Sequence, residues 1–251
     1  MTVPIPPASF TTVDDVLDFF AGDAGREVLN SYVLMQSPRY LRLLELLAQE
    51  TPIGTLEAPR IADLGAGLQT ELVAARYPGG KITSVGFTDH AQAQYDGHIE
   101  FDLNAAYDKK VWPVVDDKFD IVVFCEVIEH LYTTPIAVLG WIRSIIKPGG
   151  QLVIQTPNAQ AVTRRIRSVV GKPLYGGITN FGEPGMNPGH FREYTPNELR
   201  KMGTDTGFEV KHFEIANYIH HTGPKGRAMM RIYDLMPESL RQGVTVVYTA
   251  V

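Results

Sequence analysis

Disulfides, thiolate metal sites, membrane spans and broad nucleic-acid capture are what this sequence argues against first. A single cysteine, Cys125, cannot form an internal disulfide and leaves no cysteine-based zinc site. No apolar run approaches the roughly 18 to 20 residues that cross a bilayer, so no membrane partner is expected. Met1–Pro7 lacks a basic stretch ahead of an apolar core, so no secretion signal is expected and the cytoplasm is the expected location. The net charge of -5 lacks the basic balance of a nucleic-acid binder, so nucleic acid is not an expected partner. Neither an internal repeat nor a low-complexity tract is visible. What is present is 251 residues, 44% of them hydrophobic, which suffices for one large domain with a substantial core.

The chain opens with helical signals. Thr12 reads as an N-cap ahead of Val13, Val16, Leu17 and Phe20 at helical spacing. Ser37-Pro38 reads as a second cap and first turn, leading to the stripe Leu43, Leu44 and Leu47. Residues 1–58 are therefore expected to pack as a helical segment on a main domain of residues 59–251, with the joint at Pro52–Pro59. From there, strand-like Arg60–Leu64, Lys81–Phe87, His98–Phe101, Asp120–Phe124 and Gln151–Gln155 are interleaved with helices near Thr70–Tyr77 and Pro135–Ile146. Lys147-Pro148-Gly149-Gly150 ends the last of these. This alternation predicts an α/β fold with a doubly wound, mostly parallel sheet, closed by an antiparallel C-terminal strand. Further on, a helix near Ala159–Val170 leads to a glycine-rich loop over 171–194 and the capping box Thr195-Pro196-Asn197-Glu198. Strand-like Phe208–Ile219 and Gly243–Val251 flank a helical insert over 220–242.

Two segments carry chemistry. Ile61-Ala62-Asp63-Leu64-Gly65-Ala66-Gly67 is a buried strand running into a glycine turn, which lets backbone N–H groups approach a ligand. A dinucleotide fingerprint needs a third glycine, and Thr70 stands there instead, which demotes NAD or FAD. The Asp63 carboxylate suits an ammonium better than a pyrophosphate. The second segment, Phe124-Cys125-Glu126-Val127-Ile128-Glu129-His130, releases Glu126, Glu129 and His130 after a strand end. Their i, i+3, i+4 spacing places them on one face of a helical turn, and two carboxylates with an imidazole suit a divalent ion.

The series Asp63-Leu64-Gly65-Ala66-Gly67, Phe101-Asp102-Leu103-Asn104, Phe119–Phe124, Lys147–Gly150 and Thr156-Pro157-Asn158 resembles the class I S-adenosylmethionine-dependent methyltransferases over roughly Pro59 to Val210. The resemblance implies S-adenosyl-L-methionine bound over Gly65, Ala66 and Gly67, with Asp63 and Glu126 at its methionine end and Cys125 among the cofactor-binding residues. Asp102 and Leu103 would lie at the adenine. The acidic residue that closes the second strand in that family is displaced: Gly86-Phe87-Thr88 stands there, and Asp89 follows as the candidate ribose contact. Glu-Val-Ile-Glu-His is similar to the ubiquinone-pathway O-methyltransferases. With the distal His190 it is also similar to the small-RNA 3′-end 2′-O-methyltransferases. That likeness implies Glu126, Glu129, His130 and His190 as ligands of Mg or Mn. The alternative is a metal-free site in which His130 or His190 is the general base, with Glu129 beside it.

The expectation is O-methylation of a small-molecule or sugar acceptor. RNA methylation and a catalytically silent cofactor binder are the other readings. Arg164, Arg165, Arg167 and Lys172 form either a solvated helix face or a grip on an anionic acceptor. Tyr175, Phe181 and Tyr194 are candidate acceptor contacts, and His220-His221 is read as surface. The Met229-Met230 insert and the N-terminal helices are candidate homodimer surfaces.

Overall fold

The structure, a computed structural model, describes residues 9–49, 58–87, 95–175, 189–220 and 223–251. Asp89, Phe181, His221, most of the Pro52–Pro59 joint and the middle of the 171–194 loop lie outside the described residues.

Seven strands make one sheet: β1 (Arg60–Leu64), β2 (Lys81–Gly86), β3 (Gly97–Glu100), β4 (Phe119–Cys125), β5 (Ile146–Pro157), β6 (Phe208–Ala216) and β7 (Gly243–Ala250). Their order is β3-β2-β1-β4-β5-β7-β6, with β1 to β5 mutually parallel and β7 antiparallel to both β5 and β6. This is the expected doubly wound sheet. Alternation along the strands builds a core on each face. Val122 and Phe124 of β4 join Leu64, Leu152 and Val246 on one side, while Ile121, Val123 and Cys125 join Ile61, Val153 and Val247 on the other.

The first face is covered by α4 (Pro135–Ile145) and α6 (Pro196–Asp205), through Leu139, Trp141, Ile142, Leu199 and Met202. Thr195 and Glu198 form the expected capping box at the start of α6. Gly203 of α6 sits directly on the ring of Tyr248 in β7, where a β-carbon would come within 2.1 Å of Cε1. Gly203→Ala should therefore lower stability by about 1–3 kcal/mol despite alanine's better helix propensity. A thermal melt of that variant at or above the wild-type temperature would show that the contact relaxes freely.

The second face is covered by α2 (Ser31–Gln49) and α3 (Leu68–Arg76), with α1 (Val13–Ala21) packed outside and capped by Thr12 as expected. Ser37-Pro38 does not begin a helix, as the sequence had suggested; it lies in the middle of α2. The helix starts earlier because Asn30 Oδ1 accepts the Val33 N–H at 3.0 Å. It survives Pro38 because the buried stripe Val33, Tyr40, Leu43, Leu44, Leu46 and Leu47 holds both halves on one core, and Ser37 Oγ donates to Val33 O at 2.7 Å.

Lys147–Gly150 also differs from expectation. These residues do not precede the strand but loop out within β5, between the pairs Phe119–Ile146 and Ile121–Gln151, and Gly149 takes a φ of 75°. Two further helices, α5 (Val162–Val169) and α7 (Gly223–Leu235), stand beyond the C-terminal ends of the strands. No helix among the described residues is long and apolar enough to cross a membrane.

Candidate active site

Neighbouring β1 and β4 start crossovers in opposite directions, so a crevice opens at their C-terminal ends, where open α/β sheets bind ligands. The glycine turn ends β1 there. Gly65 has a φ of 72°, and an added β-carbon would lie 2.5 Å from Val127 Cγ2 on the neighbouring loop. Gly65 and Gly67 are exposed, so their backbone is accessible to a ligand.

Thr70, the residue in place of a third glycine, ties this turn together. Its Oγ1 accepts the Gly67 N–H at 3.0 Å and donates to Asp63 Oδ2. Asp63 is buried, which pushes its carboxyl up to about 7, while hydrogen bonds from Thr70 and Gln69 work the other way. Its Oδ1 has no protein partner. A buried acceptor left open beneath the turn fits the ammonium that the sequence reading placed there.

Glu126 follows β4 directly and adopts a left-handed φ of 56°, held by its N–H to Gln155 O at 2.8 Å. Such strain in a non-glycine residue is commonly kept where function needs it. Glu126 is thus not on the helical turn that its spacing suggested. Only Ile128–His130 forms a turn, a 3-10 one, carrying Glu129 and His130.

Glu129, His130 and His190 converge, each offering one donor atom within 4.8 Å of the other two. Glu126 stands outside that trio but lines the same cavity. His130 Nδ1 lies 2.9 Å from Gly189 O, and His190 Nδ1 lies 2.8 Å from Glu193 Oε1. A carbonyl or carboxylate oxygen can only accept, so both Nδ1 atoms carry a proton, and in a neutral ring Nε2 keeps the lone pair. Glu129 is fully buried. Its Oε2 accepts from Thr156 Oγ1 at 3.0 Å, while Oε1 has no partner and lies 3.9 Å from His130 Nε2. Burial, reinforced by the charge of Glu126, pushes Glu129 well above the usual carboxylate range. Burial also raises Glu126, against the pull of Arg39, and lowers His130.

Two members of this site escaped the sequence reading. Glu193 is buried and bridges His190 to Arg164, whose Nε donates to Oε2 at 2.8 Å. Burial opposes its charge, but the hydrogen bonds from His190 and Arg164 win and hold it below the usual range. Arg39 of α2 is buried, with Nε on Gln36 Oε1 at 2.8 Å and Nη1 on Gln155 Oε1 at 3.3 Å. Its charge acts on Glu126, Cys125 and Asp63. The available signals were Glu193's place three residues after His190 and Arg39's place four residues before Leu43, on an apolar stripe.

A cavity of about 660 Å³ opens beside the cluster, and Glu126, His130, His190, Arg164, Arg167, Met229 and Tyr233 are among its lining residues. Tyr175 is half-buried under the Arg164 guanidinium, 5.7 Å from its ring centre. Tyr194 goes into the hydrophobic core rather than lining this cavity, because its segment bridges to Asn158 beside β5. Cys125 likewise packs in the core on the α2 side, where burial pushes its thiol up to about 12. Asp102 and buried Leu103 sit just past β3, where Asp102 Oδ1 accepts the Asn104 N–H at 2.8 Å. Exposed His220 donates its backbone N–H to Met35 O.

A family model described as a methyltransferase domain matches residues 34–212. No curated protein matches the chain. Among solved structures, the fold is similar to a SAM-dependent methyltransferase from Archaeoglobus fulgidus, at 16% identity and a TM-score of 0.53 over 85% of this chain and 94% of that one. It is also similar to magnesium protoporphyrin IX methyltransferase from Synechocystis with bound SAH, at 12% identity and a TM-score of 0.52 over 95% of this chain and 94% of that one.

Proposed function

The chain belongs to the methyltransferase-domain family and is an S-adenosylmethionine-dependent methyltransferase; on that premise we propose that it methylates a hydroxyl oxygen of a small-molecule or sugar acceptor. The observation that carries this reading is the convergence of the buried Glu129 carboxyl with the imidazoles of His130 and His190, which both line the cavity. An alkyl hydroxyl is a weak nucleophile until its proton is taken up, and open acceptor atoms beside the acceptor cavity meet that need.

When bound, S-adenosylmethionine supplies an electrophilic methyl carbon. Its transfer to the hydroxyl oxygen leaves S-adenosylhomocysteine, a methyl ether and one proton. Gly65 and Gly67 would admit the donor to the β1 turn, and Asp63 Oδ1 would receive its ammonium. Arg39, buried between α2 and the end of β4, supplies positive charge at the same end. His130, with Nδ1 fixed on Gly189 O, would take the hydroxyl proton on Nε2.

One carboxylate oxygen and two imidazole nitrogens also fit a borderline-hard divalent ion. Glu129, His130 and His190 would hold Mg²⁺ or Mn²⁺, which would lower the pKa of the hydroxyl. Glu193 on His190 and Gly189 O on His130 are the outer partners that orient ligating imidazoles.

Calorimetry with S-adenosylhomocysteine, followed by product analysis on a panel of hydroxylated acceptors with Mn²⁺ or with chelator, tests the reading. Saturable binding and methyl ethers are expected. No affinity for S-adenosylhomocysteine would remove the donor site, and N- or C-methylated products would remove the hydroxyl. Full turnover in chelator would assign the proton to His130 or His190 without an ion.

A further inference from the structure

The cavity above the reactive cluster contains a positive charge that no carboxylate among the described residues neutralises. Helix α5 carries three arginines, and the structure separates their roles. Arg165 is exposed and turns back to Gln160 O at 3.1 Å. Arg164 lines the cavity, but its Nε and Nη2 are both spent on Glu193. Arg167, one turn further along the same face, also lines the cavity and is half-buried. Its Nε donates to Pro173 O at 2.6 Å, and among the described residues its paired Nη groups meet no carboxylate. The planar fork of its guanidinium matches the two oxygens of a phosphate or carboxylate.

The rest of the cavity is graded to match. Tyr32, Ile219, Met229 and Tyr233 give its lining an apolar and aromatic part, and His130 and His190 line it as well. A volume of about 660 Å³ holds a whole small metabolite rather than a lone ion. The overall charge of -5 repels an anion at long range, so an anionic ligand requires a local cation of this kind.

Resting on the methyltransferase reading, we infer that the acceptor carries an anionic group, phosphate or carboxylate, set apart from the methylated hydroxyl and gripped by Arg167. Arg164 stays on Glu193 and positions His190. Arg167 is the residue that selects the charged acceptor over its neutral parent, and it does so through binding rather than through the chemical step.

The test is a titration of inorganic phosphate, and separately of acetate, into the 251-residue chain with and without S-adenosylhomocysteine. It uses wild type, Arg167→Ala and, as an exposed control, Arg165→Ala. Saturable binding of one anion is expected, weakened about ten- to hundredfold in Arg167→Ala and unchanged in Arg165→Ala. The anion that binds tells phosphate from carboxylate. Matching melting temperatures for wild type and Arg167→Ala exclude a folding defect, and Arg167→Lys should recover part of the affinity. Failure of both anions to saturate the wild-type protein overturns the inference, as does equal binding by wild type and Arg167→Ala. Lack of S-adenosylhomocysteine binding would instead overturn the donor reading, and the anion result would stand apart from it.

Discussion

His130→Ala is expected to lower the rate of methyl transfer by about a hundred- to ten-thousandfold, the range that a positioned proton acceptor contributes. S-adenosylhomocysteine affinity should stay unchanged, because His130 faces the acceptor cavity and not the glycine turn. The pH profile carries more information than the rate. His130 accepts a proton only when neutral, and burial moves its pKa below the ordinary histidine value. The rate should therefore rise with pH on the acid limb and level off at a lower pH than an exposed histidine would allow. In His130→Ala that limb should disappear along with most of the activity. A variant that keeps both the wild-type limb and the wild-type rate would show that the cluster does not handle the proton. Glu129→Gln offers a second view, since it keeps the shape and removes the ionisable carboxyl of a buried group whose Oε2 is held by Thr156. If an ion is held there, that change should weaken its uptake more than it disturbs the fold.

Much of this architecture could be read from the sequence, for a simple physical reason. Buried parallel strands must be apolar throughout, so β1, β4 and the inner part of β5 announced themselves as Ile61–Leu64, Ile121–Phe124 and Leu152–Ile154. The turns between them used glycine and proline where few other residues fit. What escaped was set by tertiary context. Pro38 looks like a helix start by local chemistry, yet the α2 stripe on the second core outweighs one lost hydrogen bond. Glu126 looks helical by spacing, yet the end of β4 turns it left-handed. Glu193 and Arg39 reveal their partners only when segments far apart in sequence meet, as Arg39 does with Gln155. Tyr194 illustrates the reverse: four residues past His190 it reads as a candidate acceptor contact, and it packs in the core.

Gly65→Ala should abolish measurable donor binding or weaken it by about a hundredfold or more, from two penalties that can be separated. The first is conformational: the position has a φ of 72°, where a β-carbon costs about 1–2 kcal/mol. The second is steric, because that β-carbon would sit 2.5 Å from Val127 Cγ2. Val127 lies between Glu126 and the turn that carries Glu129 and His130, so the clash must displace either the donor turn or the reactive cluster. On the proposed reading, one contact between the ends of β1 and β4 would couple donor binding to proton handling. Trimming the neighbour in the double variant Gly65→Ala, Val127→Ala should remove the steric part and keep the conformational part, restoring about tenfold or more of the lost affinity. Adjacent residues of this kind should be non-additive. Strictly additive losses across the four proteins of that cycle, measured as S-adenosylhomocysteine affinities, would mean that the two strand ends do not sense each other.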